Sequence, residues 1–382
     1  MKEFLNKNNI DNKIITGLAM QNIKTLTEVQ KMVIPEMINN KDLVVQSETG
    51  TGKTLAYLIP LFNKIDSTKK EMQGIILTPT HELAIQVLRQ IELLSLNSQS
   101  NVTSIPIIGK VNIERQKEKL RKKPHIIVGS PGRILELIKM RKIGAHTIKT
   151  IIIDEADSLL NKNNYDYIKA IIKSTQRDRQ VLLFSASITN ETKVKAKELT
   201  KDAQYIVKKG HAKTPDTIEH MLFMSKKRDK ITILRKILRI MKPKKAMIFV
   251  NKKEDIDIFT SRLIYHGHNA GGLHGDKLKK ERQQTMDKFR RGKLEYLVVT
   301  DIAARGLDIE NITHIINIDI PEKTKGYLHR VGRSGRMGNK GVAISIVSEN
   351  EIQFINLFKK ELKIDILAKI IYENKITTVT DQ

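Results

Sequence analysis

Thr150-Ile151-Ile152-Ile153-Asp154-Glu155-Ala156-Asp157 is a β-branched run that ends in three carboxylates. A short run of this kind predicts a buried parallel strand, and open α/β sheets bind their ligands just beyond the carboxyl ends of such strands. The acidic residues are therefore predicted to lie at a binding site. The alternative that this stretch leaves open is an ordinary strand followed by an acidic first helical turn, because carboxylates also stabilise helix N-termini.

Further short apolar runs alternate with helical patterns on both sides of this strand. Before residue 208 the additional runs are 43–45, 74–77, 125–128 and 181–184, and in the second half of the chain the clearest runs are 246–250, 296–299 and 314–317. Such alternation is typical of βαβ units, which build parallel sheets. The sequence therefore predicts two α/β halves of similar size.

The length of the chain supports this division. A chain of 382 residues exceeds one ordinary core and predicts two domains of roughly 150 to 200 residues. A polar, basic stretch broken by glycine and proline predicts a linker at residues 209–216. The domains are accordingly expected at residues 1–208 and 217–372, followed by a short polar tail at 373–382.

The charge of the chain favours a polyanionic partner. Lys and Arg number 68 against 42 Asp and Glu, which gives a formal net charge of +26. A field of this sign attracts nucleic acid, although an excess of lysines can also be a solvated surface without a partner.

The absence of cysteine excludes disulfides, thiolate metal sites and cysteine nucleophiles. The first residues lack the apolar core of a signal peptide, and no stretch approaches the ~18 apolar residues that span a bilayer. A cytoplasmic protein is therefore expected.

A phosphate-binding loop is predicted directly after the strand at 43–45. The run Ser47-Glu48-Thr49-Gly50-Thr51-Gly52-Lys53-Thr54 precedes a helical pattern. In such a loop backbone N–H groups wrap the phosphates, a lysine reaches the β- and γ-phosphates and a hydroxyl binds Mg²⁺. Lys53 and Thr54 would have the last two roles, and the N–H groups would come from Thr49, Gly50, Thr51 and Gly52. Ser47 replaces the first glycine of the pattern, so a plain turn remains the alternative.

With this loop in place, the acidic residues acquire specific roles. Asp154 is predicted to bind Mg²⁺, largely through water, and Glu155 to be the base that orients the attacking water. Arg333 and Arg336 are about one helical turn apart and could stabilise the charge that develops on a transferring phosphoryl group. Because they belong to the second half, hydrolysis would depend on domain closure. A basic surface loop is the alternative for this stretch.

Taken in order, these motifs resemble those of the DEAD-box RNA helicases of superfamily 2, and the resemblance covers nearly the whole chain. It implies two RecA-like α/β domains, each a mostly parallel sheet flanked by helices. It also implies an ATP- and Mg²⁺-dependent enzyme that locally unwinds or remodels RNA duplexes and RNA–protein complexes, with RNA-stimulated ATP hydrolysis. The expected protein is a monomer, and ribosomal or RNA-decay proteins are candidate partners because bacterial members typically act there.

The resemblance assigns further roles near the nucleotide. Gln30, in Thr27-Glu28-Val29-Gln30, would read the adenine edge, and Phe4 would pack against the base unless it is a core residue. Asp308 would contact the ribose, and His329 would link the acidic motif across the cleft. Hydrolysis and unwinding would be coupled through Asp157, Ser185 and Ser187.

The resemblance also implies RNA contacts in both domains. They would be made largely to the sugar-phosphate backbone, which gives affinity without sequence reading. The residues implied are Thr80, Gly109, Arg133, Gly275, Arg282, Thr300 and Arg305.

Two alternative functions belong to other classes. A DNA translocase of the same superfamily would share the phosphate loop and the arginine pair, but the Gln30 motif and Asp157 argue against it. A non-catalytic RNA clamp would lack one catalytic residue, and all of them are present.

Overall fold

The structure is a computed structural model that describes residues 1–47, 50–109, 111–207, 217–274, 279–304, 309, 311–335 and 339–379. The chain divides into two compact units, Met1–Lys209 and Gly210–Gln382. The predicted linker at 209–216 lies outside the described residues.

The described residues of the first unit form a seven-stranded sheet in the order β3-β4-β2-β5-β6-β1-β7. Every neighbouring pair is parallel. The strands are β1 (Leu43–Gln46), β2 (Gly74–Leu77), β3 (Ser104–Ile107), β4 (Ile126–Gly129), β5 (Thr150–Ile153), β6 (Gln180–Ser185) and β7 (Gln204–Val207). The helices are α1 (Lys2–Lys7), α2 (Asn12–Met20), α3 (Glu28–Ile38), α4 (Lys53–Lys64), α5 (His81–Ser98), α6 (Ile113–Leu120), α7 (Pro131–Lys139), α8 (Ala156–Leu159), α9 (Lys162–Ser174) and α10 (Asn190–Leu199).

The continuous isoleucine run of β5 is explained by burial on both faces of the sheet. Ile152 packs with Leu182 and Phe184 in one hydrophobic cluster. Ile151 and Ile153 point to the other face and belong to a second cluster. Successive strand residues alternate between faces, so a strand covered on both sides needs apolar residues at every position. The prediction of a buried parallel strand is confirmed.

The described residues of the second unit form an eight-stranded sheet in the order β10-β11-β9-β12-β13-β8-β14-β15. Its strands are β8 (Ile218–Met224), β9 (Ala246–Phe249), β10 (Ala270–Leu273), β11 (Tyr296–Val299), β12 (His314–Asn317), β13 (Gly341–Val347), β14 (Leu367–Tyr372) and β15 (Lys375–Thr378). The helices are α11 (Lys230–Met241), α12 (Lys253–Tyr265), α13 (Lys279–Arg290), α14 (Asp301–Ala304), α15 (Thr324–Val331) and α16 (Ile352–Leu362).

Part of the expected polar tail at 373–382 has regular structure. Residues Lys375–Thr378 form β15, which pairs antiparallel with β14 at the edge of the second sheet. The hairpin turn contains Glu373 and Asn374, both with positive φ. An exposed edge hairpin needs few apolar residues, so its sequence is difficult to distinguish from a tail.

The predicted strands are confirmed, with boundary shifts of at most one residue; the run at 125–128, for example, is β4 at Ile126–Gly129. The strands β3, β7, β8, β10, β13, β14 and β15 are not among the predicted runs, although β8 and β13 have seven residues each. β3 contains a proline and β10 is Ala-Gly-Gly-Leu, and neither sequence has a strong strand propensity.

No described helix is both long and apolar enough to cross a membrane.

Candidate functional site

The order of the first sheet separates two groups of predicted site residues. The phosphate loop and the acidic motif follow β1 and β5, and the serine motif begins at the last residue of β6; these three strands are adjacent. Thr80, Gly109 and Arg133 follow β2, β3 and β4, which form the other side of the same sheet. Because the strands are parallel, both groups lie at the carboxyl edge of the sheet.

Gly52 and Lys53 shape the start of helix α4 after the phosphate loop. Gly52 has φ = +88°, and a Cβ atom at this position would lie 2.6 Å from Nε2 of Gln30. Lys53 is the first helical residue, and its buried Nζ donates a hydrogen bond of 2.8 Å to the carbonyl oxygen of Ser47. The Ser47 and Thr51 hydroxyls are 2.5 Å apart. The lysine ammonium is thus held over the loop, where it could bind a phosphate; Thr49 lies outside the described residues.

Gln30 connects helix α3 to this loop. Its Oε1 accepts a hydrogen bond from the N–H of Thr27, and its Nε2 donates one of 3.1 Å to the carbonyl oxygen of Gly52. The bond from Thr27, together with that from the Gln30 N–H to Thr27 Oγ1, forms a capping box at the start of α3, whereas the bond to Gly52 holds the loop. An amide has two N–H donors and an oxygen with two lone pairs. Contacts with described residues use one donor and one lone pair, which leaves the others for the predicted adenine.

Phe4 lies on α1 and packs against the hydrophobic core of the first unit. Its half-buried ring therefore has the core role that the sequence left open. A contact between Phe4 and adenine stays a prediction.

Tyr57 brings the two predicted Mg²⁺ ligands together. Its fully buried hydroxyl donates a hydrogen bond of 2.9 Å to Oδ2 of Asp154. The Thr54 hydroxyl, one helical turn earlier on α4, lies near enough to this phenol to lower its pKa. Thr54 and Asp154 are thus neighbours across one tyrosine hydroxyl.

Asp154 is a buried carboxylic acid whose ionised form depends on nearby positive charge. Burial raises the pKa of the Asp154 carboxyl, and the Lys53 ammonium and the Tyr57 hydrogen bond oppose that rise. Burial and the neighbouring Asp154 charge raise the pKa of Tyr57, so its phenol stays protonated and can donate. A bound cation would favour the ionised carboxylate further.

The described residues contain no cluster of three or more histidine, aspartate or glutamate side chains that could hold a metal by themselves. Mg²⁺ is commonly bound by one or two carboxylates together with substrate phosphates. Thr54 and Asp154 fit that type of site.

Glu155 has a strained backbone. It adopts φ = +49°, and its N–H donates 2.9 Å to Oδ1 of Asp154. A left-handed conformation costs a residue with a Cβ atom roughly 1–2 kcal/mol, so the strand-to-helix turn holds Glu155 in place against its preference. Asp157 follows on α8 and is half-buried.

The serine motif touches the phosphate loop through its backbone. The N–H of Ser47 donates 2.9 Å to the carbonyl oxygen of Ser185. Ser185 Oγ donates 2.7 Å to the carbonyl oxygen of Ser187. Ser187 Oγ is buried without a hydrogen-bond partner among the described residues, so the expected contact from this hydroxyl to the acidic motif is not formed here.

The predicted RNA-facing residues of the first unit have different environments. Thr80 caps α5, where its Oγ1 accepts a hydrogen bond from the N–H of Leu83. Gly109 faces open space. Arg133 is engaged within the unit, since its Nη1 donates to the carbonyl oxygen of Val111 and its Nε pairs with Glu136 at 2.9 Å.

Arg330 organises the arginine motif of the second unit. The guanidinium is 1% exposed and lies over the Phe249 ring at 5.0 Å. Its N–H groups donate to Oδ1 and Oδ2 of Asp301, Oδ1 of Asn251, Oδ1 of Asn317 and the carbonyl oxygen of Asp319. Arg330 is therefore committed to the fold of this edge of the sheet.

Arg333 and His329 lie beside this network. Together with Arg330 and Asp301 they line a small cavity of about 60 Å³. Arg333 is buried and His329 half-buried. Arg336 and Asp308 lie outside the described residues.

Of the RNA-facing residues predicted in the second unit, Thr300 and Arg282 are described. Thr300 precedes α14, where its hydroxyl oxygen accepts a hydrogen bond from the N–H of Ala303. Arg282 is half-buried on α13. Gly275 and Arg305 lie outside the described residues.

Tyr57 and Arg330 are not among the site residues predicted from the sequence. Tyr57 sits three residues after Thr54, so helical spacing could have placed it on the same face. Arg330 adjoins the predicted His329, but its acceptors come from residues distant in sequence.

Comparison with known proteins agrees with this architecture. A family model described as DEAD/DEAH box helicase matches residues 27–195, and one described as helicase conserved C-terminal domain matches residues 229–338. The chain is 41% identical to the DEAD-box ATP-dependent RNA helicase CshC of Bacillus cereus, over 89% of this chain and 87% of that protein. It is 37% identical to the probable ATP-dependent RNA helicase YfmL of Bacillus subtilis, over 92% and 93% of the two chains.

Among solved structures, S. cerevisiae Dbp5 bound to RNA and ADP BeF3 superposes with a TM-score of 0.86 at 27% identity, covering 95% of each chain. This likeness confirms two RecA-like units of mostly parallel sheet. With relatives of this identity aligned over most of its length, the chain belongs to the DEAD-box ATP-dependent RNA helicases.

Proposed function

We propose that the chain uses the ATP site of its first unit to drive local separation of short RNA duplexes and remodelling of RNA–protein complexes. The observation that best supports this role is the convergence of Lys53, Thr54 and Asp154 around the buried Tyr57 hydroxyl. Sites that bind a nucleoside triphosphate with Mg²⁺ bring together a lysine, a hydroxyl and a carboxylate in this way.

In the proposed reaction Lys53 and the loop N–H groups bind the β- and γ-phosphates. Bound Mg²⁺, held by Thr54 and Asp154, would neutralise part of the phosphate charge. Glu155 orients the attacking water and accepts its proton. Arg333 and Arg336 stabilise the negative charge that spreads over the transferring phosphoryl group.

The proposed RNA contacts are sequence-independent. N–H groups and hydroxyls at the carboxyl edge of the first sheet, with Thr80 as the helix cap, would bind phosphate oxygens. Arg133 would have to exchange its bond to Val111 for a phosphate. If RNA raises the affinity for ATP, ATP must raise the affinity for RNA by the same factor.

We further propose that the protein acts as a monomer in the cytoplasm. Its proposed protein partners are ribosomal or RNA-decay proteins. These proposals are supported by the family to which the chain belongs.

Two variants test the assignment of roles. Glu155→Gln should bind ATP with unchanged affinity yet lose turnover by about 10² to 10⁴, the range that a general base contributes. Lys53→Ala should lose ATP binding itself. If Glu155→Gln turned over ATP as fast as the unmodified protein, Glu155 would not be the general base.

The nature of the polyanion is tested with the same assay. RNA and DNA oligonucleotides of one sequence are compared as activators of ATP hydrolysis at low salt, where backbone contacts are strongest. Stimulation by RNA alone supports the helicase. Equal stimulation by DNA would favour the translocase.

A further inference from the structure

A basic groove crosses the second unit at the edge of its sheet opposite to the predicted site residues. We define the α11 groove by the cationic side chains Arg235, Lys236, Arg239, Lys242 and Lys244, which line a concave volume of about 680 Å³. Glu295 is the one carboxylate among the described lining residues. The excess of positive charge within one concavity predicts an anionic ligand.

The position of the groove separates it from the helicase motifs. Lys244, His268 and Glu295 shortly precede β9, β10 and β11, so the groove lies at the amino ends of these parallel strands. Thr300 and Asn251 follow the carboxyl ends of β11 and β9. Strands of this length place the two edges roughly 13 Å apart, and the groove is therefore a different surface from the predicted RNA contacts.

The cations of the groove form no ion pairs with the residues that the structure describes. Lys230, on the buried side of the same helix, by contrast pairs with Glu351 at 2.7 Å. The Nε atom of Arg235 is buried and has no hydrogen-bond partner in the described part of the chain. A buried donor of this kind is costly unless a ligand satisfies it.

The groove also offers aromatic surface at its rim. The imidazoles of His266 and His268 line it, and the neighbouring Tyr265 is 84% exposed, with its ring 5.0 Å from that of His266. Single-stranded nucleic acid is bound by this combination, in which cations contact phosphates and aromatic rings stack on bases. An acidic protein surface would satisfy the cations but would leave the exposed ring without a role.

We propose that the α11 groove binds the phosphodiester backbone of single-stranded RNA that extends beyond the motif site. The proposal rests on the RNA-dependent function given above. The groove would add affinity for long RNA without taking part in ATP hydrolysis. It would also strengthen the binding of an RNA whose sequence the motif residues do not recognise.

The test compares two triple variants of the full chain. The groove variant carries Arg235→Gln, Lys236→Gln and Arg239→Gln, and the control carries Lys359→Gln, Lys360→Gln and Lys363→Gln, exposed positions of the same unit. Both lose three positive charges. Binding of RNA of about 8 and about 30 nucleotides, lengths that fill one site or extend past it, is measured over a range of salt without nucleotide.

The groove variant should bind the long RNA about tenfold more weakly at low salt than the control. Its slope of log affinity against log salt should fall by about 2, since each lost phosphate contact removes about 0.7 on a single strand. The short RNA should bind both variants equally, which also shows that the motif site is intact. Tyr265→Ala should weaken binding of the long RNA with an unchanged salt slope.

Two results would overturn the proposal. If the groove and control variants bind the long RNA with equal affinity, any loss of affinity relative to the unmodified protein comes from the lower net charge and not from the groove. An equal loss on short and long RNA would place the effect at the motif site. Failure of the unmodified protein to bind either RNA would instead count against the proposed function itself.

Discussion

The buried hydroxyl of Tyr57 donates a hydrogen bond of 2.9 Å to Oδ2 of Asp154. The other carboxylate oxygen accepts from the N–H of Glu155. Both oxygens of the first acid of the Asp154-Glu155-Ala156-Asp157 motif are therefore fixed by the fold, one from helix α4 and one from its own turn. Preorganisation of this kind matters at a site where a cation must be held against a phosphate.

Replacement of Tyr57 by phenylalanine tests this relationship. The ring should stay in place, because it packs edge-on against Phe184 at 5.1 Å. Loss of a hydrogen bond to a charged acceptor costs roughly 1.5–3 kcal/mol. The Mg²⁺ concentration for half-maximal ATPase should therefore rise by about tenfold or more.

Tyr165→Phe is the matched control, since its phenol also donates to a carboxylate, that of Glu198, at the protein surface. It should leave the Mg²⁺ dependence unchanged. A Tyr57→Phe enzyme with the normal Mg²⁺ dependence would show that the phenol does not position Asp154.

Replacement of Gly52 by alanine should damage nucleotide binding. The position combines φ = +88° with the near contact to Gln30. A Cβ atom there would displace the Gln30 amide from the loop, and overpacking of this type costs roughly 1–3 kcal/mol. We expect the affinity for ATP to fall by about tenfold in equilibrium titration.

Gly267→Ala provides the control, because Gly267 has a similar φ of +81° but a Cβ atom added there would meet no atom within 4 Å. This variant controls for an alanine in the left-handed region at a position away from the phosphate loop. An equal change in ATP affinity in both variants would contradict the role of that contact.

Replacement of Arg330 by methionine should destabilise the second unit. Removing the guanidinium leaves Asp301 and three further acceptors without their donor. Breaking a fully buried ion pair costs roughly 3–5 kcal/mol, and because the Asp301 side chain is 40% exposed, the loss should be smaller than that. Denaturant unfolding followed by circular dichroism should show a lower midpoint for this unit. Arg228→Met, at an 80% exposed side chain, should leave the midpoint unchanged; a similar midpoint for the two variants would refute the structural role of Arg330.

The stability of the second unit should fall in mild acid because of His220. Burial lowers the pKa of His220 from 6.5 to about 4, and its Nδ1 lies 2.7 Å from the Tyr327 hydroxyl. A histidine with a lowered folded-state pKa contributes stability that is complete above pH 6.5 and is lost as pH falls towards 4. The loss should reach about 3 kcal/mol.

Unfolding free energies of His220→Gln and the exposed His146→Gln, measured from pH 7 to pH 4, test this expectation. The first variant should show a flatter pH dependence than the unmodified protein, and the second should follow the unmodified protein. Parallel curves for all three would mean that His220 makes no such contribution.

The strands and loops that hold the site could be predicted from sequence because their signals are local. The four-residue β-branched run that ends in acidic residues predicts a strand from neighbouring positions alone. The glycines ahead of Lys53 predict the phosphate loop in the same way. The sheet order that makes β1, β5 and β6 neighbours, by contrast, depends on contacts between residues far apart in the chain.

The polar contacts could not be predicted in the same way. The acceptors of Arg330 come from separate segments of the second unit, and the partner of Tyr57 is 97 positions away. Gln30 is predicted to read adenine, yet its amide also holds the phosphate loop, because one side chain can both cap a helix and bridge to a neighbouring loop.

RNA-stimulated ATP hydrolysis by the full chain tests the central claim most directly. Steady-state ATPase is measured at saturating ATP and Mg²⁺ and low salt, with and without single-stranded RNA, and with Glu155→Gln as the blank. We predict turnover that rises severalfold or more with RNA and is absent from the blank. Turnover that is the same with and without RNA, or that persists in Glu155→Gln, would contradict an RNA-dependent ATPase built on this site.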